Sequence, residues 1–272
     1  MRVAVTGSSG FLGQLVVRVL DNDPSVQSTL GLDIVPGAFS SAKFSFQDAD
    51  VREADFCSLL AGCDALIHLA FIVEPRRHLS MADIEAINVE GSRRVFDAAV
   101  EAGVATIVYA SSVASYGIHA DNPEDLDETW PLRPNEDWYY SRTKGRVEVL
   151  LDEVQAASPE TVIVRLRPGV FLGPTATNLI AQMLSRSLVL TSDDSRFTLC
   201  WDQDVADAFG LALHHGESDA FNLTCGPAMT MAQYARLLGR PSIRIPAFLV
   251  GTVMWLGRFF GALSEGHQEW FD

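Results

Sequence analysis

Cysteine is scarce and scattered: Cys57, Cys63, Cys200 and Cys225 are the only four, and no two form a C-x-x-C pair. That excludes a zinc ribbon or a disulfide framework and fits buried thiols. Histidine offers no metal site either. Of the six, His214 and His215 are adjacent and point to different faces of a helix, and no other pair has ligand spacing. Positive charge is also short, with 20 Lys and Arg against 35 Asp and Glu and a formal net charge of −15. Nucleic acid and anionic membrane surfaces are held by clustered Lys and Arg, so neither is an expected partner, whereas a small-molecule substrate is. The longest apolar run, Ile245 to Gly257, falls short of the ~20 residues a spanning helix needs and is interrupted by Pro246 and two glycines. No membrane span is expected, and the run reads as a packed or interface helix. Strand-like residues begin at Arg2, which leaves no room for the n- and h-regions of a secretory signal, so the expected location is cytoplasmic.

What is present is alternation. Val3 to Thr6, Ser28 to Ile34, Lys43 to Gln47, Ala65 to Leu69, Thr106 to Ala110 and Thr161 to Leu166 are short runs with strand character. Between them, Phe11 to Leu20, Met81 to Ala102 and the stretch after Tyr139 carry apolar residues at helical spacing. Strands alternating with helices build a parallel sheet covered on both faces. The expected fold is α/β, a Rossmann-type doubly wound parallel sheet over residues 1–168. A small C-terminal α+β lobe, residues 169–272, faces the substrate and does not fold independently.

Gly7-Ser8-Ser9-Gly10-Phe11-Leu12-Gly13 follows the first strand and opens the first helix. Bare backbone there can approach a pyrophosphate while the helix N-terminus stabilises its charge. The spacing differs from the common G-x-G-x-x-G, but its place in a βαβ unit makes Gly7, Ser9, Gly10, Phe11, Leu12 and Gly13 candidate dinucleotide contacts. Asp33, at the end of the second strand, can accept both ribose hydroxyls and would repel a 2′-phosphate, which favours NAD over NADP.

Tyr140 and Lys144 stand one helical turn apart on one face, where their side chains can converge on one bound group. A free tyrosine is protonated at neutral pH, and a nearby cation lowers its pKa, so Lys144 is expected to make Tyr140 a usable proton donor and acceptor.

Further segments follow in order: Asp50-Val51-Arg52, Ile67-His68-Leu69-Ala70, Asn88-Val89-Glu90-Gly91, Ala110-Ser111-Ser112 through Tyr116-Gly117, Arg167-Pro168-Gly169-Val170 and Asp204-Val205-Ala206. With the glycine loop and Tyr140-x-x-x-Lys144, this set resembles the extended short-chain dehydrogenase/reductase family, of the NAD-dependent epimerase/dehydratase type, over residues 1 to about 235. The resemblance implies that Ser112, four residues before Tyr116, hydrogen-bonds the reacting oxygen. Tyr140 gives or takes its proton, and Lys144 holds the nicotinamide ribose. It further implies that Asp50 and Val51 border the adenine, that His68, Leu69 and Ala70 run under the cofactor backbone, and that Val170 lies near the nicotinamide amide. Asn88 is implied as a cofactor-side helper, and a homodimer through the helices at 81–102 and 138–157 as the assembly.

Three functions stay open at this point: a dehydrogenase or reductase of a hydrophobic alcohol, ketone or aldehyde; a nucleotide-sugar epimerase or dehydratase; and a non-catalytic NAD(H) sensor. The C-terminal lobe is short and lysine-free, and Arg196 is its one candidate for a diphosphate.

Overall fold

The computed structural model describes residues 1–75, 79–174, 176, 178–192 and 194–246. The first part of the chain runs β1 (Arg2–Thr6), α1 (Phe11–Asn22), β2 (Ser28–Asp33), β3 (Phe44–Asp48), α2 (Phe56–Leu60), β4 (Ala65–His68) and α3 (Met81–Glu85). A π-helical segment, Ala86–Glu90, leads into α4 (Gly91–Glu101) and β5 (Thr106–Ala110). A 3-10 turn at Val113–Tyr116 precedes α5 (Tyr139–Ala157) and β6 (Val162–Pro168). Beyond it come β7 (Val170–Leu172), α6 (Leu179–Ser185), β8 (Val189–Thr191), β9 (Arg196–Phe197) and β10 (Leu199–Trp201). The described chain closes with α7 (Asp202–Ala212), β11 (Asp219–Leu223), β12 (Met229–Thr230), α8 (Met231–Leu237) and β13 (Ser242–Arg244).

Seven strands make one sheet in the order β11-β6-β5-β4-β1-β2-β3, every pairing parallel. Parallel strands need helical crossovers, so both faces are covered and the strands are apolar on both sides. Val3 and Val5 pack with Val16, Leu20 and Phe209 on one face, while Ala4 packs with Leu60, Phe96 and Leu151 on the other. The chain order reverses between β1 and β4, and a crevice opens outside the carboxyl ends of strands at such a point. The glycine loop, Ala70, Ser112 and Asp33 all follow carboxyl ends of strands.

Two elements depart from the reading of the sequence. The segment Met81–Ala102, read as one helix, is interrupted by the π turn at Ala86–Glu90. The chain beyond residue 168 does not stay in the small lobe. It returns α7 to the sheet face, where Val205 and Phe209 meet Val16 and Leu20, and β11 to the sheet edge beside β6. The lobe proper is built on Leu184, Leu199 and Tyr234, with three two-stranded pairings around them.

The apolar stripes of α4 and α5, offered to a dimer partner by the sequence, are used inside the chain: Val95, Phe96, Val147 and Leu151 are fully buried in one core cluster. The apolar run that begins at Ile245 lies outside the described residues from residue 247 onward. Among the described residues, no helix is long and apolar enough to cross a membrane.

Candidate active site

The glycine loop is shaped by close backbone approach. Gly7 has φ +68°, and a Cβ on it would lie 2.7 Å from the Ala70 nitrogen. Leu69 and Ala70 thus press directly on the loop at the switch point. A Cβ on Gly13 would sit 2.1 Å from the Gly7 carbonyl, so only glycine lets α1 start this close to β1. Gly10, the N-cap of α1, supplies no side-chain acceptor to the first turn, whose backbone N–H groups at Phe11, Leu12 and Gly13 face the end of the helix. A cradle without side chains at a helix N-terminus fits a dinucleotide pyrophosphate. The Phe11 ring rests edge-on against Phe171 of β7, 5.8 Å between centroids.

Asp33 is tied to this loop. Its Oδ2 accepts from the Ser9 backbone N–H at 3.0 Å and its Oδ1 from Ile34 N–H at 2.8 Å. Ser9 Oγ donates to the Val35 carbonyl at 2.6 Å. Asp50 follows β3 on the same edge of the sheet and pairs with Arg52 at 2.6 Å, which holds its carboxyl below the usual range. Val51 is buried against Gly91, where a Cβ would meet Val51 Cγ2 at 2.6 Å.

His68 and Asn88 brace the floor. His68 is fully buried, with Nδ1 2.7 Å from Thr6 Oγ1 and Nε2 2.9 Å from Ser92 Oγ. Burial pulls its pKa to about 3, so the ring is neutral. Asn88, within the π turn, accepts from Ile72 N–H at 2.7 Å and donates to the Ile72 carbonyl at 3.0 Å. Its side chain is spent on clamping the loop after β4.

The structure separates the two neighbouring serines. Ser111 Oγ donates to Glu148 Oε1 at 2.6 Å, behind the site. Ser112, 6% exposed, caps the 3-10 turn through Ala114 N–H at 3.1 Å, and its hydroxyl helps to hold down the pKa of the neighbouring Tyr140 phenol. The Tyr140 ring stands against Phe71 and Trp138, each 5.8 Å away between centroids. Lys144 is buried below: Nζ donates to the Ala110 carbonyl at 2.6 Å and to Tyr109 OH at 3.4 Å, and lies 3.6 Å from the Phe71 ring centroid.

One electrostatic expectation is corrected. Burial pushes the Tyr140 phenol up, and the Ser112 hydroxyl only partly offsets this. The Lys144 ammonium is engaged by the Ala110 carbonyl and the Phe71 ring and sits 5.9 Å from the Tyr140 ring centroid. Burial draws Lys144 itself down to about 7, against an opposing pull from Glu148.

Val170 opens β7, donates its N–H to the Thr198 carbonyl at 2.9 Å, and packs toward the lobe core. Arg196 is exposed and paired with Glu124 at 2.8 Å. Residues that reading the sequence passed over are Phe71, Glu148 and Asn222. The signal for Glu148 was its spacing, four after Lys144. Among the described residues, no group of three His, Cys, Asp or Glu is placed to hold a metal.

Residues 3–224 match the model of the NAD dependent epimerase/dehydratase family. The chain belongs to that family. The members are NAD-dependent enzymes, and this epimerase/dehydratase-family chain is 34% identical over 160 residues to a UDP-glucose 4-epimerase of Mycolicibacterium smegmatis, covering 54% of this chain and 50% of that protein. It is 27% identical over 268 residues to cinnamoyl-CoA reductase 1 of Oryza sativa, covering 90% of this chain and 77% of that one. Among solved structures, MoeE5 in complex with UDP-glucose and NAD superposes with a TM-score of 0.76 at 25% identity, over 91% of this chain and 86% of that one.

Proposed function

We propose that this family member transfers a hydride between NAD and a secondary alcohol, ketone or aldehyde carbon, with Tyr140 as the acid/base. The observation that carries this is the gathering of Ser112, Tyr140 and buried Lys144 at the carboxyl end of the sheet that also carries the glycine cradle. NAD, when bound, supplies the hydride acceptor or donor. During oxidation Tyr140 Oη takes the proton of the substrate hydroxyl, while Ser112 Oγ donates to the same oxygen and fixes its position. During reduction the phenol returns that proton. The Lys144 ammonium stabilises the phenolate that burial disfavours, an effect strengthened by the low local dielectric.

Gly7, Ser9, Gly10, Phe11, Leu12 and Gly13 would hold the pyrophosphate, Asp33 the adenosine ribose, Asp50 and Val51 the adenine, and Leu69, Ala70, Lys144 and Val170 the nicotinamide half. Asn88 would serve through its clamp on Ile72. Asp33 selects NAD by repelling a 2′-phosphate. The rings of Phe71 and Trp138 beside Tyr140 favour a hydrophobic substrate, and Arg196 is already held by Glu124. The protein acts in the cytoplasm as a homodimer whose contact includes the outer face of α5, where Val149 is exposed between Arg142, Arg146 and Glu153.

The similarity to a UDP-glucose 4-epimerase supports a second reading, in which the same residues oxidise a nucleotide-sugar carbon and then reduce it again. The two separate cleanly in one assay set. Consumption of added NADH by hydrophobic ketones or aldehydes establishes the first, and interconversion of UDP-sugars without added NADH the second. Failure of both panels in protein shown to bind NADH would overturn the enzyme reading.

A further inference from the structure

Behind the Ser112, Tyr140 and Lys144 face lies a polar cluster that the chemistry above leaves without a role. Glu148, one helical turn beyond Lys144 on α5, is 1% exposed. Arg167 at the end of β6 donates to it twice, Nε to Oε1 at 2.8 Å and Nη2 to Oε2 at 3.0 Å, and Ser111 donates to Oε1 at 2.6 Å. Arg167 Nη1 donates to Tyr116 OH at 2.7 Å, and that hydroxyl donates to Asn222 Oδ1 at 2.9 Å. Asn222 in turn holds the loop leading into Tyr140, donating from Nδ2 to the Leu126 carbonyl at 3.1 Å. A buried ion pair adds little stability over apolar residues of the same volume. Its placement therefore points to something other than packing.

The charged and titratable groups around the Lys144 ammonium come from three strands and its own helix. His68 on β4 is neutral, Tyr109 on β5 is driven well above its usual value by burial, and Tyr140 on α5 is a protonated phenol. Glu148 on α5 is the anion, and two cations of β6 face it, Arg167 at 2.8 Å and Arg165 at 3.5 Å, the latter also paired with Asp152 at 2.7 Å. Lys144 makes no ion pair with Glu148: its hydrogen bonds go to Ala110 and Tyr109. The coupling is through the field across one turn of buried helix.

We infer that Glu148 is a positioning residue for the acid/base pair: anchored by Arg167 and Ser111, it supplies the buried negative charge that keeps Lys144 an ammonium, and it fixes the end of β5 from which Ser112 projects. The inference rests on the placement of Lys144 in the proposed site, but on no substrate or cofactor. Burial draws Lys144 to about 7 even with Glu148 present. Without that carboxylate the amine is neutral at physiological pH and no longer stabilises a phenolate.

The chain contains two lysines, Lys43 and Lys144, so protein labelled with carbon-13 at the lysine ε position gives two side-chain signals, with Lys43 as the internal reference. The full chain is titrated free of ligands as wild type, Glu148→Gln, Glu148→Asp and the apolar pair Glu148→Met/Arg167→Met. The Lys144 midpoint is expected near 7 in wild type. It should move about one pH unit lower in Glu148→Gln, a roughly tenfold change in proton affinity, and return most of the way in Glu148→Asp. The apolar pair carries the same test if Glu148→Gln does not fold, and should shift the midpoint the same way. An unmoved midpoint with only a lowered Tm would show a brace without electrostatic reach and overturn the inference. Because no cofactor or substrate enters the titration, that failure leaves the proposed function standing. Wild type lacking all turnover would remove the function and leave a measured shift intact.

Discussion

At the scale of single residues, burial decides more of the chemistry than spacing does. His68 has no solvent contact and is neutral in the fold, its pKa drawn from 6.5 down to about 3. The unfolded chain therefore binds this proton first as pH falls. Stability attributable to His68 is complete above pH 6.5 and declines toward pH 3, by roughly 1.4 kcal/mol for each pH unit. Urea unfolding at a series of pH values between 6 and 4 should show a shallower decline for His68→Gln than for wild type; equal slopes would contradict the burial argument. Asp33 is a residue whose place was readable in the sequence: the carboxylate ends the second strand and is tied to the glycine loop through Ser9 N–H. Asp33→Ala should raise affinity for NADPH relative to NADH by about tenfold or more, measured by cofactor fluorescence titration. The direction of the Tyr140 shift was not readable. Spacing shows that Lys144 can reach the same region, but the desolvation of both groups and the claim of Ala110 on the ammonium exist only in three dimensions.

At the scale of elements, the central strands β1, β4, β5 and β6 were legible because both faces are largely buried and most of their residues are β-branched or apolar. β11 was not. Asp219–Leu223 is an edge strand, half buried, with Asp219 and Asn222 in a five-residue run, and its pairing with β6 comes from a crossover through α7. The π turn was equally invisible, since Asn88 and its neighbours carry ordinary helical periodicity. What fixes that turn is a long-range bond pair from Asn88 to both backbone groups of Ile72. Asn88→Leu leaves a buried donor and acceptor unpaired, each costing about 1–3 kcal/mol. The variant should unfold at lower urea, and the Ile72 amide should lose its hydrogen-exchange protection. Retained protection at Ile72 would show that the clamp lies elsewhere.

At the scale of the whole molecule, the seven-stranded order places the reversal between β1 and β4, and the rest of the site follows from that one topological fact. The glycine loop leaves β1, Ala70 follows β4, Ser112 follows β5 and Val170 follows β6, so residues far apart in sequence arrive at one edge. The sequence carried this arrangement as a series of motifs in order, each weak alone. It did not carry the interleaving of α7 and β11 with the sheet, which links the lobe to the acid/base helix through Asn222, Tyr116 and Arg167. The central claim is that Tyr140 moves the proton in an NAD-dependent hydride transfer. The direct measurement is NADH binding and steady-state turnover on the same preparations of wild type and Tyr140→Phe, using a substrate that wild type accepts. Tyr140→Phe should keep NADH affinity within a few fold of wild type and lower kcat by about 10²–10⁴-fold, the usual worth of a positioned acid/base. Near-normal kcat in Tyr140→Phe would contradict it.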